Sequence, residues 1–536
     1  MPITSTSLAS GVGAGVFNVQ FTPVANDIPR NIVIIGTFNP ALAGSVTVET
    51  IYGPYSNAGQ VALVFGAGWM VHRLALGVFA GLGSGGANVW VIPQSETGTL
   101  ATSASTVISG PATAAGTLNF YIDNIKYACP VASGDSATTI GTNLAALVAA
   151  DPNCPVTGNA VTGTFSLTAK SKGPAGNAIP IAYNIQAGDS LPAGVTATVV
   201  PLASGTGVPV IANALNALGT GNNANNLPNG QWMTDLVHGY LATATVMATP
   251  VQDQTTLTAI GTYCGLASAN PPTGCYDHLV GKPFRCINGD TTNSASVPAA
   301  LITLCATTNV NDRCDALLCV PGSRTHPCEI AAIATGVINA RTAQAALRPY
   351  AEMVLPGVEV GPTGMWTGDY GNRDTAVKAG ISPTVARGGY VVLQNIVTFY
   401  AANTGVASTS NIYREFVNLV KTANMIWSLI STFRGTKWQG CAIVADTSRV
   451  TDAVAKQYAR STSDVIDELI GLAKAWEGKG WIYSSAFTIA ALKVAGAVTV
   501  RTGGDGFINQ IPAILSGVLN IIDSTINADI SLAGVS

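Results

Sequence analysis

Two spacings of apolar residues run through this chain. In the last third they recur with a helical period. Across residues 413–434 the apolar set is Phe416, Leu419, Val420, Ala423, Ile426, Trp427, Ile430 and Phe433, with Arg414, Glu415, Asn418 and Lys421 off the stripe. That period predicts a long amphipathic helix. Val465, Ile466, Leu469, Ile470, Ala473 and Trp476 predict a second helix over 463–476, stopped at Gly478. A strand is expected over 495–501. Elsewhere the spacing is two. Residues 16–21, 117–122, 164–169 and 526–532 alternate apolar with polar and predict strands.

These elements order the chain. A strand at 31–36, a loop-rich stretch at 52–68, a helix at 69–79 and a strand at 89–92 read as an α/β unit. The strand at 117–122, a turn at Asp123-Asn124 and a strand at 126–131 form a hairpin. Asp135 or Ser136 can cap a following helix whose apolar face is Ile140, Leu144, Leu147 and Val148. With the strand at 164–169 this makes a small ββαβ insertion. Alternation of helix and strand then resumes: helices at 208–218, 254–264 and 329–346, strands at 241–246 and 316–320. The fold class expected is α/β and α+β, multidomain. The two terminal strands have no sequence neighbour to pair with, so they must join a sheet elsewhere or fray.

Composition narrows the function. The chain has 536 residues, 48% hydrophobic and only 10% charged. A typical soluble chain carries about 25% charged residues. A surface so poor in charge suits a protein packed against its own copies, or an extracellular β-protein. The net charge of −3 and the lack of a Lys/Arg cluster give no footprint for nucleic acid. The first 21 residues lack a basic segment followed by an apolar one, so no signal peptide is expected. The uncharged stretch 74–92 contains five glycines and an Asn, which reads as helix, loop and strand before membrane span.

Candidate chemistry centres on cysteine. Seven of the ten cysteines fall between Cys264 and Cys328. Cys275 and His278 have C-x2-H spacing, His326 and Cys328 are two apart, and Cys314 and Cys319 are five apart. No CxxC pair exists, so the usual zinc signature is missing and no metal or other cofactor is expected. A Cys–His nucleophile would need an orienting base and an oxyanion site, and neither is legible. Cys129 and Cys154 flank the insertion helix and are a candidate disulfide. The odd count within the cluster leaves one thiol free or paired elsewhere, with Cys441 the candidate partner. Buried free thiols acting as small apolar side chains are the alternative. Phe65-Gly66-Ala67-Gly68 lacks the third glycine and acidic partner of a dinucleotide loop and is expected to be a tight strand-to-helix turn. Asp464, Asp467 and Glu468 share one helix and read as a solvated face or subunit contact, not an acid–base pair.

The order of pieces resembles the Mu-like contractile-tail sheath proteins over nearly the whole chain. The resemblance rests on 53–94 (GPYSNAGQVALVFGAGWMVHRLALGVFAGLGSGGANVWVIPQ), on 116–184 with the KGPAGN turn at 172–177, and on Gly380-Ile381-Ser382 followed by the strand expected at 389–400. It implies a structural subunit and not an enzyme. The expected plan is an arm at 1–28, the first part of an α/β core at 29–104, and an outer insertion at 105–205. An α/β middle domain at 206–355, a C-terminal core facing the tube at 356–520 and an arm at 521–536 complete it. Subunits would form six-fold rings stacked helically around a tail tube. Exchanged terminal strands would link them, through Phe17, Val19 and Phe21 at one end and Ile526, Ala528, Ile530 and Leu532 at the other. Contraction would drive the tube through the host envelope. The partners implied are further copies, the tube protein, and baseplate and tail terminator proteins, with no direct nucleic acid and no membrane insertion. The place implied is the virion tail, after assembly in the host bacterial cytoplasm. The sheath of a phage-tail-like bacteriocin or injection device is the alternative within the class. A secreted surface-layer or adhesin protein and an α/β oxidoreductase are the alternatives outside it.

Overall fold

The computed structural model describes residues 25–516 apart from 103–105, 162–163, 243–251, 266–273, 278–279, 309–311, 362–364 and 403–412. The chain divides into two compact units, Ile28–Ile426 and Trp427–Ser516, the latter joined by the stretch ending at Asp27. Among the described residues no helix is long and apolar enough to cross a membrane.

An eight-stranded sheet organises the first unit. Its order is Tyr390–Leu393, Ile381–Arg387, Asp315–Cys319, Arg285–Asp290, Asp235–His238, Asn31–Thr37, Asn88–Gln94, Tyr52–Tyr55. The six inner strands run parallel and the two edges antiparallel. Asn31–Thr37 is buried along its whole length, as a central strand covered on both faces must be. This sheet draws strands from the three segments 29–104, 206–355 and 356–520. The register Leu317↔Ile381 ties the third segment to the second, so the compact unit runs on to Ile426.

Helices cover the sheet. Met70–Leu82 packs along Pro327–Gln344, where Gly77, Gly81 and Gly336 let the two backbones approach. The stretch expected to be loop contains the strand Tyr52–Tyr55 and the helix Ala58–Phe65, capped by Asn57 through the Gln60 N–H. Gln254–Cys264 is helical as expected, capped by Asp253. Of the strand expected at 241–246, residues 243–246 lie outside the described residues. The strand entering the sheet is Asp235–His238.

The insertion has its own core of Leu118, Phe120, Ile140, Leu144, Phe165 and Leu167. Its hairpin pairs Gly116–Ile122 with Ile125–Val131, and Asp123 at φ 56 makes the turn. Ser136, not Asp135, caps the helix Ala137–Ala150. An unexpected strand, Val156–Val161, pairs with Thr164–Lys172, and the short strands Thr106–Ile108, Ile181–Tyr183 and Ala197–Thr198 extend the sheets, so the insertion exceeds the ββαβ plan.

In the second unit the helix Thr462–Gly478 buries Val465, Leu469, Leu472, Ala473 and Trp476. Trp476 Nε1 donates to Ser428 Oγ at 2.8 Å. The helix Phe416–Phe433 crosses the boundary between the units. Phe416, Leu419, Val420 and Ala423 are buried as expected, but so is Lys421, expected on the polar face, with Asn418 Oδ1 3.3 Å from its ammonium.

Candidate functional site

Open α/β sheets bind ligands beyond the carboxyl ends of their strands, where the strand order reverses. Here that point lies between Asn31–Thr37 and Asp235–His238. Protein fills it. A Cβ added to Gly36 would meet Met70 Cγ at 3.2 Å, and one added to Gly239 would meet Met70 Sδ at 2.4 Å. The insertion's 3-10 turn Pro174–Ala178 closes over the same place, with Ala175 O accepting from His326 Nε2 at 2.9 Å. A cavity of about 30 Å³ remains, lined by Met70, Arg73, Ala175, Gly239, His326 and Glu329 among others. That is space on the scale of one water.

The seat of the insertion is ionic. Arg73 Nη2 lies 2.6 Å from Asp123 Oδ2 and also contacts Glu329. Asp123 Oδ1 accepts from the His326 N–H at 3.1 Å. Burial and the nearby Asp123 push the Glu329 carboxyl well above its usual range, against the pull of Arg73. Burial lowers His326 to about 4, with Arg73 adding to the shift. Its Nδ1 accepts from the Cys328 N–H, which fixes the neutral Nε2–H tautomer. His326 and Cys328 thus belong to a helix start and a docking contact.

A second buried polar chain threads the sheet. His238 Nε2 donates to Asn288 Oδ1 at 2.8 Å, and Asn288 Nδ2 donates to Asp315 Oδ1 at 2.8 Å. Arg285 pairs with Asp235. None of these polar residues opens onto a cleft: all are buried.

The cysteines are all free thiols, and only Cys441 is not buried. The candidate Cys129–Cys154 bridge is not formed here. Cys129 is directed to Pro130 O and Cys154 meets the Tyr127 hydroxyl, both inside the insertion core. Cys275 is buried, while His278 lies outside the described residues. Cys314 immediately precedes the strand that Cys319 ends, Cys314 against Asp312 and Cys319 against Asp290. Residues Phe65–Gly68 join two helices and not a strand to a helix. On Thr462–Gly478, Asp464 completes a capping box with Ser461, Asp467 is exposed, and Glu468 is buried against Lys437. Glu468 is therefore an internal anchor and not part of a solvated face.

The second unit offers an open sheet. Val498–Val500 pairs antiparallel with Phe507–Asn509 through Thr499↔Ile508. Among the described residues each pairs only with the other, so two edges stay unpaired. Large apolar side chains stand around it in solvent: Tyr483 at 77% exposure, Val494 at 62%, Ile508 at 54% and Ile514 at 49%. A groove of about 720 Å³ runs between Val494, Thr499, Ile508 and Pro512. The terminal residues Phe17, Val19, Phe21, Ile526, Ala528, Ile530 and Leu532 lie outside the described residues.

Fold and sites together describe a multidomain α/β and α+β chain with a filled ligand crevice and an exposed apolar sheet. No family model matches it. Over 133 residues it is 35% identical to the Mu-like prophage FluMu tail sheath protein of Haemophilus influenzae, so the similarity to Mu-like sheath proteins is shown for that stretch. The stretch is 25% of this chain and spans 27% of that relative's length. Two solved structures align over most of their length. The sheath tail protein from Desulfitobacterium hafniense is 12% identical with a TM-score of 0.40, covering 94% of this chain and 96% of that one. The sheath tail protein from Listeria innocua is 10% identical with a TM-score of 0.41, covering 92% and 94%.

Proposed function

We propose that the chain is the structural subunit of a contractile tail sheath and works by self-assembly, not catalysis. The similarity to a tail sheath protein names the class. One structural observation supports the linkage: the two-stranded sheet of the second unit, open at both edges and ringed by exposed Val494, Ile508 and Ile514. Terminal strands from neighbouring copies pair with those edges, one through Phe17, Val19 and Phe21, the other through Ile526, Ala528, Ile530 and Leu532. Backbone hydrogen bonds of such an added strand tolerate rotation of the folded body around them. Six-fold rings stack helically around a tail tube, with tube, baseplate and terminator proteins as partners. Contraction keeps the strand links while side-chain contacts between bodies re-form. The working place is the virion tail. The filled crevice at the strand ends disfavours the oxidoreductase alternative.

Electron microscopy of the purified chain tests this. Tubes or stacked six-fold rings are expected, and a monodisperse monomer at high concentration overturns the proposal. Removing residues 1–24 is expected to leave a folded subunit that forms no tubes. Assembly that survives the deletion removes the N-terminal arm from the scheme.

A further inference from the structure

One buried side-chain cluster takes no part in assembly, and only its Asp315 belongs to the polar chain through the sheet. It lies at the amino ends of Arg285–Asp290 and Asp315–Cys319, below the end of the helix Gln254–Cys264. Asp312, Cys314 and Asp315 are all buried, and one donor atom from each lies within 4.8 Å of the others. Cys314 Sγ is 3.3 Å from Asp312 Oδ1 and 3.6 Å from Asp315 Oδ2. Cys264 Sγ is within hydrogen-bonding reach of Cys314.

Asp312 is out of balance with its surroundings. Its Oδ1 accepts from the N–H groups of Cys314 and Asp315 at 2.8 and 3.1 Å. Its Oδ2 is buried and receives no N–H, in a residue only 8% exposed, and the Asp315 carboxyl lies within hydrogen-bonding reach of the same side chain. Among the described residues neither Asp312 nor Asp315 has an ion pair with a Lys, Arg or His. The nearby Arg313 is turned away, onto the rings of Tyr400 and Tyr413. Buried carboxylates are ordinarily paired or bound to metal. Thiols and carboxylates together suit a borderline divalent cation, zinc above all. Zinc bonds of about 2.3 Å to sulfur and 2.0 Å to oxygen at a tetrahedral angle set the two ligands roughly 3.5 Å apart. Cys314 already stands at that spacing from both carboxylates.

We propose that Asp312, Cys314 and Asp315 form a structural binding site for a divalent zinc-class cation. The Cys314 thiol gives its proton to solvent on binding, as does whichever carboxyl is protonated. The sulfur and two carboxylate oxygens then hold the ion, and a water takes the fourth position. The site braces the turn that leads into the strand Asp315–Cys319. The sequence concealed it, because its ligands come from positions 312, 314 and 315 with no CxxC spacing.

Titration of the chelator-stripped full chain with Co²⁺ is the test. One ion per chain is expected, with strong visible bands of a tetrahedral site and a near-ultraviolet thiolate-to-cobalt band, both removed by Zn²⁺. Asp312→Asn keeps the shape and is expected to weaken Co²⁺ binding by roughly 100-fold or more. Circular dichroism confirms that this variant folds. Cys441→Ser, remote from the cluster, is expected to bind as the wild type. The proposal is overturned if no thiolate band appears. It is equally overturned if Asp312→Asn binds with undiminished affinity.

Discussion

Gly81 and Gly336 meet where the helices Met70–Leu82 and Pro327–Gln344 cross: a methyl added to Gly81 would stand 3.0 Å from the Gly336 Cα and 2.1 Å from the Ile333 carbonyl oxygen. Neither obstacle can swing aside, since both are backbone. Gly81→Ala should push the helices apart and cost roughly 2–3 kcal/mol, read by urea denaturation. Gly83→Ala is not an equivalent control, because its φ of 55 strains any side chain. Gly86, with open space around it, is. An unchanged midpoint in Gly81→Ala would show that the helices have room to shift.

Arg73 is the one guanidinium in the seat of the insertion. Replacing it by Met leaves Asp123 and Glu329 buried against each other and should destabilise by about 3–5 kcal/mol. Glu329→Gln should cost far less near neutral pH, because burial already favours the uncharged acid. Thermal melts of the two variants check the order. Equal losses would mean that Glu329 is ionised and shares the charge.

Acid should destabilise the fold through its buried imidazoles. Burial holds His238 and His326 at about 4, below the ordinary value of 6.5. The unfolded chain therefore binds more protons between those values, so stability is full above 6.5 and falls as pH drops toward 4. Each fully buried imidazole contributes roughly 3 kcal/mol to that fall. Protonating Nδ1 would also remove the acceptor of the Tyr240 and Cys328 N–H groups. Denaturation midpoints across this window check the slope, and a flat profile rules the mechanism out.

Ile508 lies on the open two-stranded sheet at 54% exposure. Ile508→Asp should leave the melting temperature of the monomer unchanged while greatly reducing tube formation, read by sedimentation and microscopy. Tubes formed at the wild-type yield would place the strand exchange on another surface.

Much of this architecture was legible where periodicity and capping agree. The helix Gln254–Cys264 has Asp253 before it and Leu257 and Ile260 on its inner face. The insertion hairpin carries its own turn at Asp123-Asn124. The sequence pattern failed where polar residues are buried. The strand Arg285–Asp290 is wholly internal, yet Arg285, Asn288 and Asp290 disguise it. Their partners include Asp235, His238 and Asp315, far away in sequence and invisible to any local window. Lys421 misled for the same reason. The open sheet around Ile508 was half legible: a strand was expected at 495–501, but its short partner Phe507–Asn509 follows a turn with Gly503, Gly504 and Gly506 and shows no alternation of its own.

The turn Pro174–Ala178 over the strand ends has a kinetic and thermodynamic corollary. It is delivered by a domain tied to the sheet at both ends of its chain. Any small molecule seeking the crevice must outcompete a plug whose effective concentration is set by that double tether, in the millimolar range for even a loose linkage. A scaffold so plugged holds Arg73 and His326 against the insertion with room left for no more than about one water.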